Sequence, residues 1–272
     1  MIGNLAWVFA AGLALHLGCA LPAAAAAPEP EDAWPALADN VFKGRPLADG
    51  TGLVGLEMPA RAEDAAIVPV TMRVTLPPGD TRYLKTLTLV IDDNPAPVAA
   101  TFTIGPNAGI SSISTRVRVD AYTNVHAVAE LSDDKLYVVK TFVKASGGCS
   151  APAAKIADAA AARIGQMKFR QFAAKADRAS APREAQIMIR HPNNSGLQRD
   201  QVTLLYTPPH FVDEFSVWQG DALLFSMVGG ISVSEDPNFR FTFVPNGAAT
   251  FRVEAKDTDG QRFRQEWPAT EM

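Results

Sequence analysis

The second of the two cysteines in this chain, Cys149, directly follows two glycines, Gly147 and Gly148. A thiolate is a nucleophile that can hold a group covalently, and glycine frees the backbone that would move such a thiol. A helix beginning at the next residue would place Cys149 near its positive end, and Lys144 and Lys155 would add positive charge. All three effects favour the thiolate. The pattern predicts an exposed, chemically functional thiol on a glycine hinge.

Histidine is the residue most often paired with such a thiol, and three histidines follow the N-terminal leader: His126, His191 and His210. Their spacing matches no metal-binding motif, so we predict no metal site and no cofactor. A cysteine–histidine pair needs only proximity in space, so a thiol enzyme remains an alternative. No local signature favours it. We therefore predict no catalytic residue and no enzymatic activity.

The N-terminus has the pattern of a secretory signal peptide. An apolar run from Leu5 to Leu21 is followed by small residues and then by Pro28. We predict cleavage after residues 1–27, export to the periplasm, and no membrane span in the mature form. Cys19 leaves with this leader, so the mature chain keeps one cysteine. A lone cysteine in an oxidising compartment is reactive, buried, or joined to a second copy, and a disulfide homodimer stays open.

Composition limits the classes of partner. The 272 residues carry a formal net charge of −4, with 47% hydrophobic and 20% charged residues. These values are ordinary for a globular protein, and no basic stripe with interleaved aromatic residues is present. The sequence therefore argues against a nucleic-acid partner.

The elements around Cys149 are mainly strands. The segment 67–76 alternates between apolar and polar residues, as a half-buried strand does, and several short strands separated by turn residues follow it. The Ala-rich segment after Cys149 places Ile156, Ile164, Met167 and Phe172 at helical spacing, and it predicts a helix.

The whole pattern is typical of a mainly β protein with two immunoglobulin-like antiparallel sandwiches, an α-helical linker and a short N-terminal helix. The predicted boundaries are a signal peptide at 1–27, a first sandwich at 31–149, a helical linker at 150–182 and a second sandwich at 183–272.

Particular stretches resemble a known family. The stretches "LEMPARAEDAAIVPVTMRV" and "VKASGGC" resemble the sulfur-carrier subunit SoxY, whose carrier cysteine lies in a Gly-Gly-Cys-Gly-Gly arm. The stretches "EAQIMIRHPNNSGLQRD" and "FRVEAKDTDGQRFRQEW" resemble its partner SoxZ. The fused form is similar to SoxYZ-like carriers associated with quinoprotein dehydrogenases. Here the motif reads Gly-Gly-Cys-Ser-Ala, and the chain continues beyond it, so the cysteine is tethered on both sides.

The resemblance implies that Cys149 is the covalent attachment site for a sulfur intermediate, with Gly147 and Gly148 as its hinge. Its implied partners are periplasmic redox enzymes: sulfur-oxidation enzymes, a quinoprotein dehydrogenase or a c-type cytochrome. The alternative is a non-covalent binding or assembly module for such a quinoprotein dehydrogenase or cytochrome. That module would use exposed apolar patches or edge strands instead of Cys149.

Overall fold

Alternating apolar and polar residues build most of the elements in the computed structural model. It describes residues 32–152, 163–172, 181–200 and 202–269. Strand β3, for example, buries Val68, Val70, Met72 and Val74 and turns the residues between them outward, as the alternation predicts. The predicted signal peptide, 1–27, lies outside the described residues.

The described elements are one helix and fifteen strands. In chain order they are α1 (Trp34–Phe42), β1 (Leu47–Asp49), β2 (Val54–Glu57), β3 (Val68–Val74), β4 (Leu84–Ile91), β5 (Val98–Ile104), β6 (Ser112–Val117), β7 (Thr123–Leu131), β8 (Leu136–Val143), β9 (Met167–Gln171), β10 (Arg183–Ile189), β11 (Val212–Gln219), β12 (Ala222–Gly229), β13 (Asn238–Phe243), β14 (Thr250–Asp257) and β15 (Arg262–Pro268).

The strands form two sheets with a shared apolar core. A nine-stranded sheet has the order β1-β8-β7-β4-β5-β12-β11-β14-β15, and a six-stranded sheet has the order β2-β3-β6-β13-β10-β9. Rings from the two sheets meet edge to face, as where Phe102 of β5 contacts Phe239 of β13 with centroids 5.9 Å apart. The predicted mainly β, immunoglobulin-like architecture is confirmed, and both sheets contain strands from the two predicted sandwiches.

Strands from before and after Cys149 are hydrogen-bonded to each other in both sheets. Strand β5 pairs with β12, so that Phe102 lies opposite Met227, and β6 pairs with β13, so that Ile113 lies opposite Phe241. Residues Ala33–Met272 accordingly form one compact unit. The predicted domain boundaries therefore mark two segments of the sequence. In the structure, backbone hydrogen bonds join these two segments into common sheets.

The short N-terminal helix is confirmed as α1. Pro35 lies in its first turn, where a missing N–H is tolerated, and the helix ends at Lys43, which adopts a left-handed backbone conformation with φ 57°. Ala38 and Phe42 pack on Val90 and on other apolar residues of the nine-stranded sheet.

The helical linker predicted for 150–182 is wrong over its described centre. Met167–Gln171 is strand β9, which pairs with β10 at the edge of the six-stranded sheet. Phe169 packs its ring against Phe251 and Trp267, with centroids 4.8 Å and 5.3 Å away. These contacts use the period-two pattern of this segment, and a helix would not satisfy them. Residues 153–162 and 173–180 of the predicted helix lie outside the described residues.

Candidate functional site

Cys149 lies in a turn after β8 and is completely buried. Its backbone N–H donates to Oδ1 of Asp120 over 3.0 Å, and its carbonyl oxygen accepts a hydrogen bond from the hydroxyl of Ser195. Ser195 belongs to the segment 191–198 that follows β10, which we call the cap segment. The expectation of an exposed thiol is thus wrong for this conformation, because residues distant in the sequence cover it.

The two glycines hold the turn in close contact with its neighbours. The N–H of Gly147 donates to the carbonyl of Asp120 over 2.7 Å, and Gly147 adopts φ +73°, which glycine accommodates most readily. A Cβ atom at Gly148 would lie only 2.1 Å from the carbonyl oxygen of Ala65. Position 148 therefore has no room for a side chain in this conformation, which we call the closed turn because Cys149 is buried in it. The hinge role of both glycines stays a prediction.

A buried arginine, Arg118, links the turn to the cap segment. One guanidinium nitrogen donates to the carbonyl of Gly148 over 3.2 Å, and another donates to the carbonyl of Asn193 over 3.3 Å. Its side chain is fully buried, and burial lowers the pKa of Arg118, although the negative charge of Glu235 opposes that effect. Sequence reasoning missed this residue, which directly follows β6 and belongs to no local motif.

The surroundings of the Cys149 sulfur favour the neutral thiol. Burial raises the pKa of Cys149 to about 12, the negative charge of Asp120 adds to the effect, and Arg118 offsets only part of it. The prediction that the surroundings of Cys149 favour the thiolate is wrong for this conformation, in which the thiol is buried. Ser150 lies in a turn, where its hydroxyl donates to the carbonyl of Gly147, and Lys155 lies outside the described residues.

This pKa shift predicts a stability difference at alkaline pH. Above about pH 9 the unfolded chain releases the thiol proton while the folded chain keeps it, so the unfolded state binds fewer protons and stability falls as pH rises towards the folded pKa of about 12. Between about pH 8 and about pH 10, wild type should lose about 1–2 kcal/mol more unfolding free energy than Cys149→Ala. Urea unfolding of both proteins measures this difference. Parallel pH profiles would contradict it.

The three predicted candidate histidines lie in two different places. His126 of β7 is buried, with Nδ1 3.0 Å from Oδ1 of Asp92 and its ring stacked on Trp34. His191 and His210 lie next to each other, with ring centroids 4.5 Å apart. Among the described residues, no histidine is hydrogen-bonded to Cys149, so the converging pair that a thiol enzyme requires is not formed here.

His191 and His210 also meet an acidic residue that the sequence did not single out, Asp257. The ligand atoms of these three side chains all lie within 4.8 Å of one another. Their separations along the chain follow no metal-binding motif, so spacing alone could not reveal the cluster. Pairing of Val212 with Asp257 brings the ends of β11 and β14 together and with them this group.

Comparison with known families separates the chain at the turn just described. A family model for the "Sulfur oxidation protein SoxY" matches residues 38–149, and one for the "Sulphur oxidation protein SoxZ" matches residues 170–268. The chain therefore joins a SoxY-family segment and a SoxZ-family segment in one polypeptide. Together the two matches cover most of the chain and assign its segments to two families of sulfur oxidation proteins.

Two solved structures are similar to this chain at low sequence identity. The sulfur carrier protein SoxY from Chlorobium limicola f thiosulfatophilum is 24% identical over 40% of this chain and 89% of its own, with a TM-score of 0.34. A superoxide reductase (neelaredoxin) from Ignicoccus hospitalis is 12% identical over 40% of this chain and 90% of its own, with a TM-score of 0.30. No curated protein matches the sequence. Within the described residues, no helix is long and apolar enough to cross a membrane.

Proposed function

We propose that this protein is a periplasmic carrier, exported by a signal peptide at residues 1–27, that holds a sulfur intermediate covalently on Cys149 and presents it to partner enzymes. The observation that carries the proposal is the extent of the SoxY match, which ends on Cys149 directly after Gly147 and Gly148. The cysteine thus stands at the end of the SoxY-family segment, next to the two glycines that would let it move.

Loading requires the closed turn to open. Two side chains connect the turn to the cap segment: the Ser195 hydroxyl binds the Cys149 carbonyl, and the Arg118 guanidinium binds carbonyls of both. The backbone N–H groups of Gly147 and Cys149 also bind Asp120, and these contacts must break as well. In the closed state, burial keeps the thiol neutral and protects it from oxidation and from a disulfide with a second copy. Opening moves Cys149 into water, where its pKa falls towards the ordinary range and the thiolate becomes available.

The chemistry of loading follows from the thiolate. With thiosulfate as cargo, a bond forms between the Cys149 sulfur and the terminal sulfur of thiosulfate. The thiol proton goes to solvent, and two electrons leave. The partner must accept those electrons, so loading needs a redox enzyme such as a c-type cytochrome. A carrier of this kind supplies the attachment point and needs no catalytic residues of its own.

Mass spectrometry tests the carrier directly. The mature protein is incubated with thiosulfate and a periplasmic extract of its host, and its intact mass is measured without reductant. We expect an adduct that maps to the peptide containing Cys149 and that reductant removes. As a control, the protein is unfolded in urea and its thiol is labelled, which shows that the thiol is present and reactive. Absence of any adduct on such a thiol would refute the carrier function.

One surface favours the second candidate function, a non-covalent docking module. Large apolar side chains are exposed on the loop between Arg199 and Tyr206: Val202 is 81% exposed and Leu205 69% exposed. Exposed apolar clusters are typical of protein-binding surfaces. This loop continues directly from the cap segment, so a quinoprotein dehydrogenase or cytochrome bound there would lie next to the turn that holds Cys149.

A further inference from the structure

Three ligating side chains converge at the edge of the SoxZ-family segment. His191 follows β10, His210 precedes β11, and Asp257 ends β14. Oδ2 of Asp257 lies 3.4 Å from Nε2 of His191 and 2.9 Å from Nε2 of His210. Both imidazoles therefore present the same ring nitrogen to the same carboxylate oxygen.

Hydrogen bonds from the surroundings orient these ligand atoms. Nδ1 of His191 lies 2.8 Å from Oδ1 of Asn193, and donation from Nδ1 to this oxygen would leave Nε2 unprotonated. The competing contact, from the backbone N–H of Asn193 to the same nitrogen, is longer at 3.1 Å. The lone pair of His191 Nε2 then faces Asp257. Oδ1 of Asp257 accepts backbone N–H groups from Gln261 and Asp259, which leaves Oδ2 for the imidazoles.

An unprotonated ring nitrogen that faces a carboxylate oxygen in a buried site is unfavourable, and a cation bound between the two atoms removes the repulsion. The side chains of His191 and Asp257 are fully buried, whereas His210 is 17% exposed and gives access from solvent.

We propose that His191, His210 and Asp257 bind a divalent transition metal ion of the zinc class. Metal–ligand bonds of about 2.0–2.1 Å in a tetrahedral site place neighbouring ligand atoms about 3.3 Å apart. The carboxylate oxygen lies 2.9 Å and 3.4 Å from the two ring nitrogens, and all three ligand atoms lie within 4.8 Å of one another. Two imidazoles and one carboxylate are a ligand set suited to zinc. Asp259, whose Oδ2 lies 3.4 Å from His210 Nε2, or a water completes the site.

The hydrogen bonds around this site resemble those of metal-binding histidines, which commonly donate their second ring N–H to an oxygen atom. Asn193 takes that role for His191, and its own carbonyl accepts from Arg118. The same cap segment supplies Ser195 to the turn of Cys149. A bound metal would thus fix the first residue of the cap segment, His191, whatever cargo Cys149 carries.

Cobalt and zinc titrations test the proposal on the tag-free mature protein after chelation. We expect one Co²⁺ per chain with visible absorption bands of nitrogen and oxygen ligation, displacement by Zn²⁺, and a higher Tm when Zn²⁺ is present. His210→Gln removes a partly exposed ligand and should weaken binding by more than about 100-fold, because loss of a residue that only hydrogen-bonds to a metal ligand already costs about 10–100-fold.

The matched control is His126→Gln, which alters another histidine–carboxylate pair that has a single imidazole. That variant should bind both metals as wild type does. Circular dichroism of each variant verifies folding. The titration of the wild-type protein tests metal binding even if a variant does not fold. Absence of cobalt bands together with a Tm unaffected by Zn²⁺ would overturn the proposal, as would unchanged binding by His210→Gln.

Discussion

Replacement of Cys149 by serine should abolish cargo loading and leave a folded protein. The turn uses the backbone N–H and carbonyl of Cys149 in its hydrogen bonds, and a serine keeps both groups. A serine hydroxyl forms no disulfide-type bond with a sulfur cargo, so the expected loss of adduct is complete. Intact mass after incubation with thiosulfate and periplasmic extract measures loading. Thiosulfate-dependent reduction of an added c-type cytochrome measures transfer.

The same experiment separates the carrier from the docking module when a second variant is included. Leu205→Ser changes an exposed side chain of the apolar loop and leaves Cys149 untouched. For a carrier, Cys149→Ser loses both adduct and electron transfer, whereas Leu205→Ser still accepts cargo when the partner is in excess. Full activity of Cys149→Ser with loss of activity in Leu205→Ser would establish the docking module instead.

Much of the sheet structure could be predicted from local pattern. Phe239, Phe241 and Phe243 alternate with polar residues, and all three are buried in β13, as the period-two pattern predicts. The error at β9 has a local cause. Met167 and Phe169 fit the period of a strand, while Met167 also fits the helical spacing of the Ala-rich segment before it. Pairing with β10 decides between the two periods, and that pairing is not visible in the segment itself.

The residues of the candidate site could be predicted from the sequence, but the burial of Cys149 could not. Cys149 with its glycines is a local motif, but the groups that bury it, Arg118 and Ser195, come from other parts of the chain. A loop cysteine is therefore expected to be exposed until its long-range contacts are known. The same limit applies to the cluster around Asp257, which lies 66 residues from His191.

Gly148→Ala should open the turn and expose the thiol. The added Cβ would meet the carbonyl oxygen of Ala65 at 2.1 Å and that of Val119 at 2.6 Å, and backbone atoms such as these do not rotate away. Overpacking of this kind destabilises the closed turn by about 3 kcal/mol. Since about 1.4 kcal/mol corresponds to tenfold, the open population should rise by roughly 100-fold. The rate at which a thiol reagent modifies Cys149 reports that population.

Gly147→Ala is the matched control, because a Cβ there meets only the Ser150 hydroxyl at 3.6 Å. The residue adopts φ +73°, so alanine adds backbone strain of about 1 kcal/mol without a collision, and the reaction rate should rise only about fivefold. A large difference between the two variants would locate the resistance to opening in the packing of Gly148 against Ala65. Equal rates would show that the turn opens by another route, with the contacts of Gly148 intact.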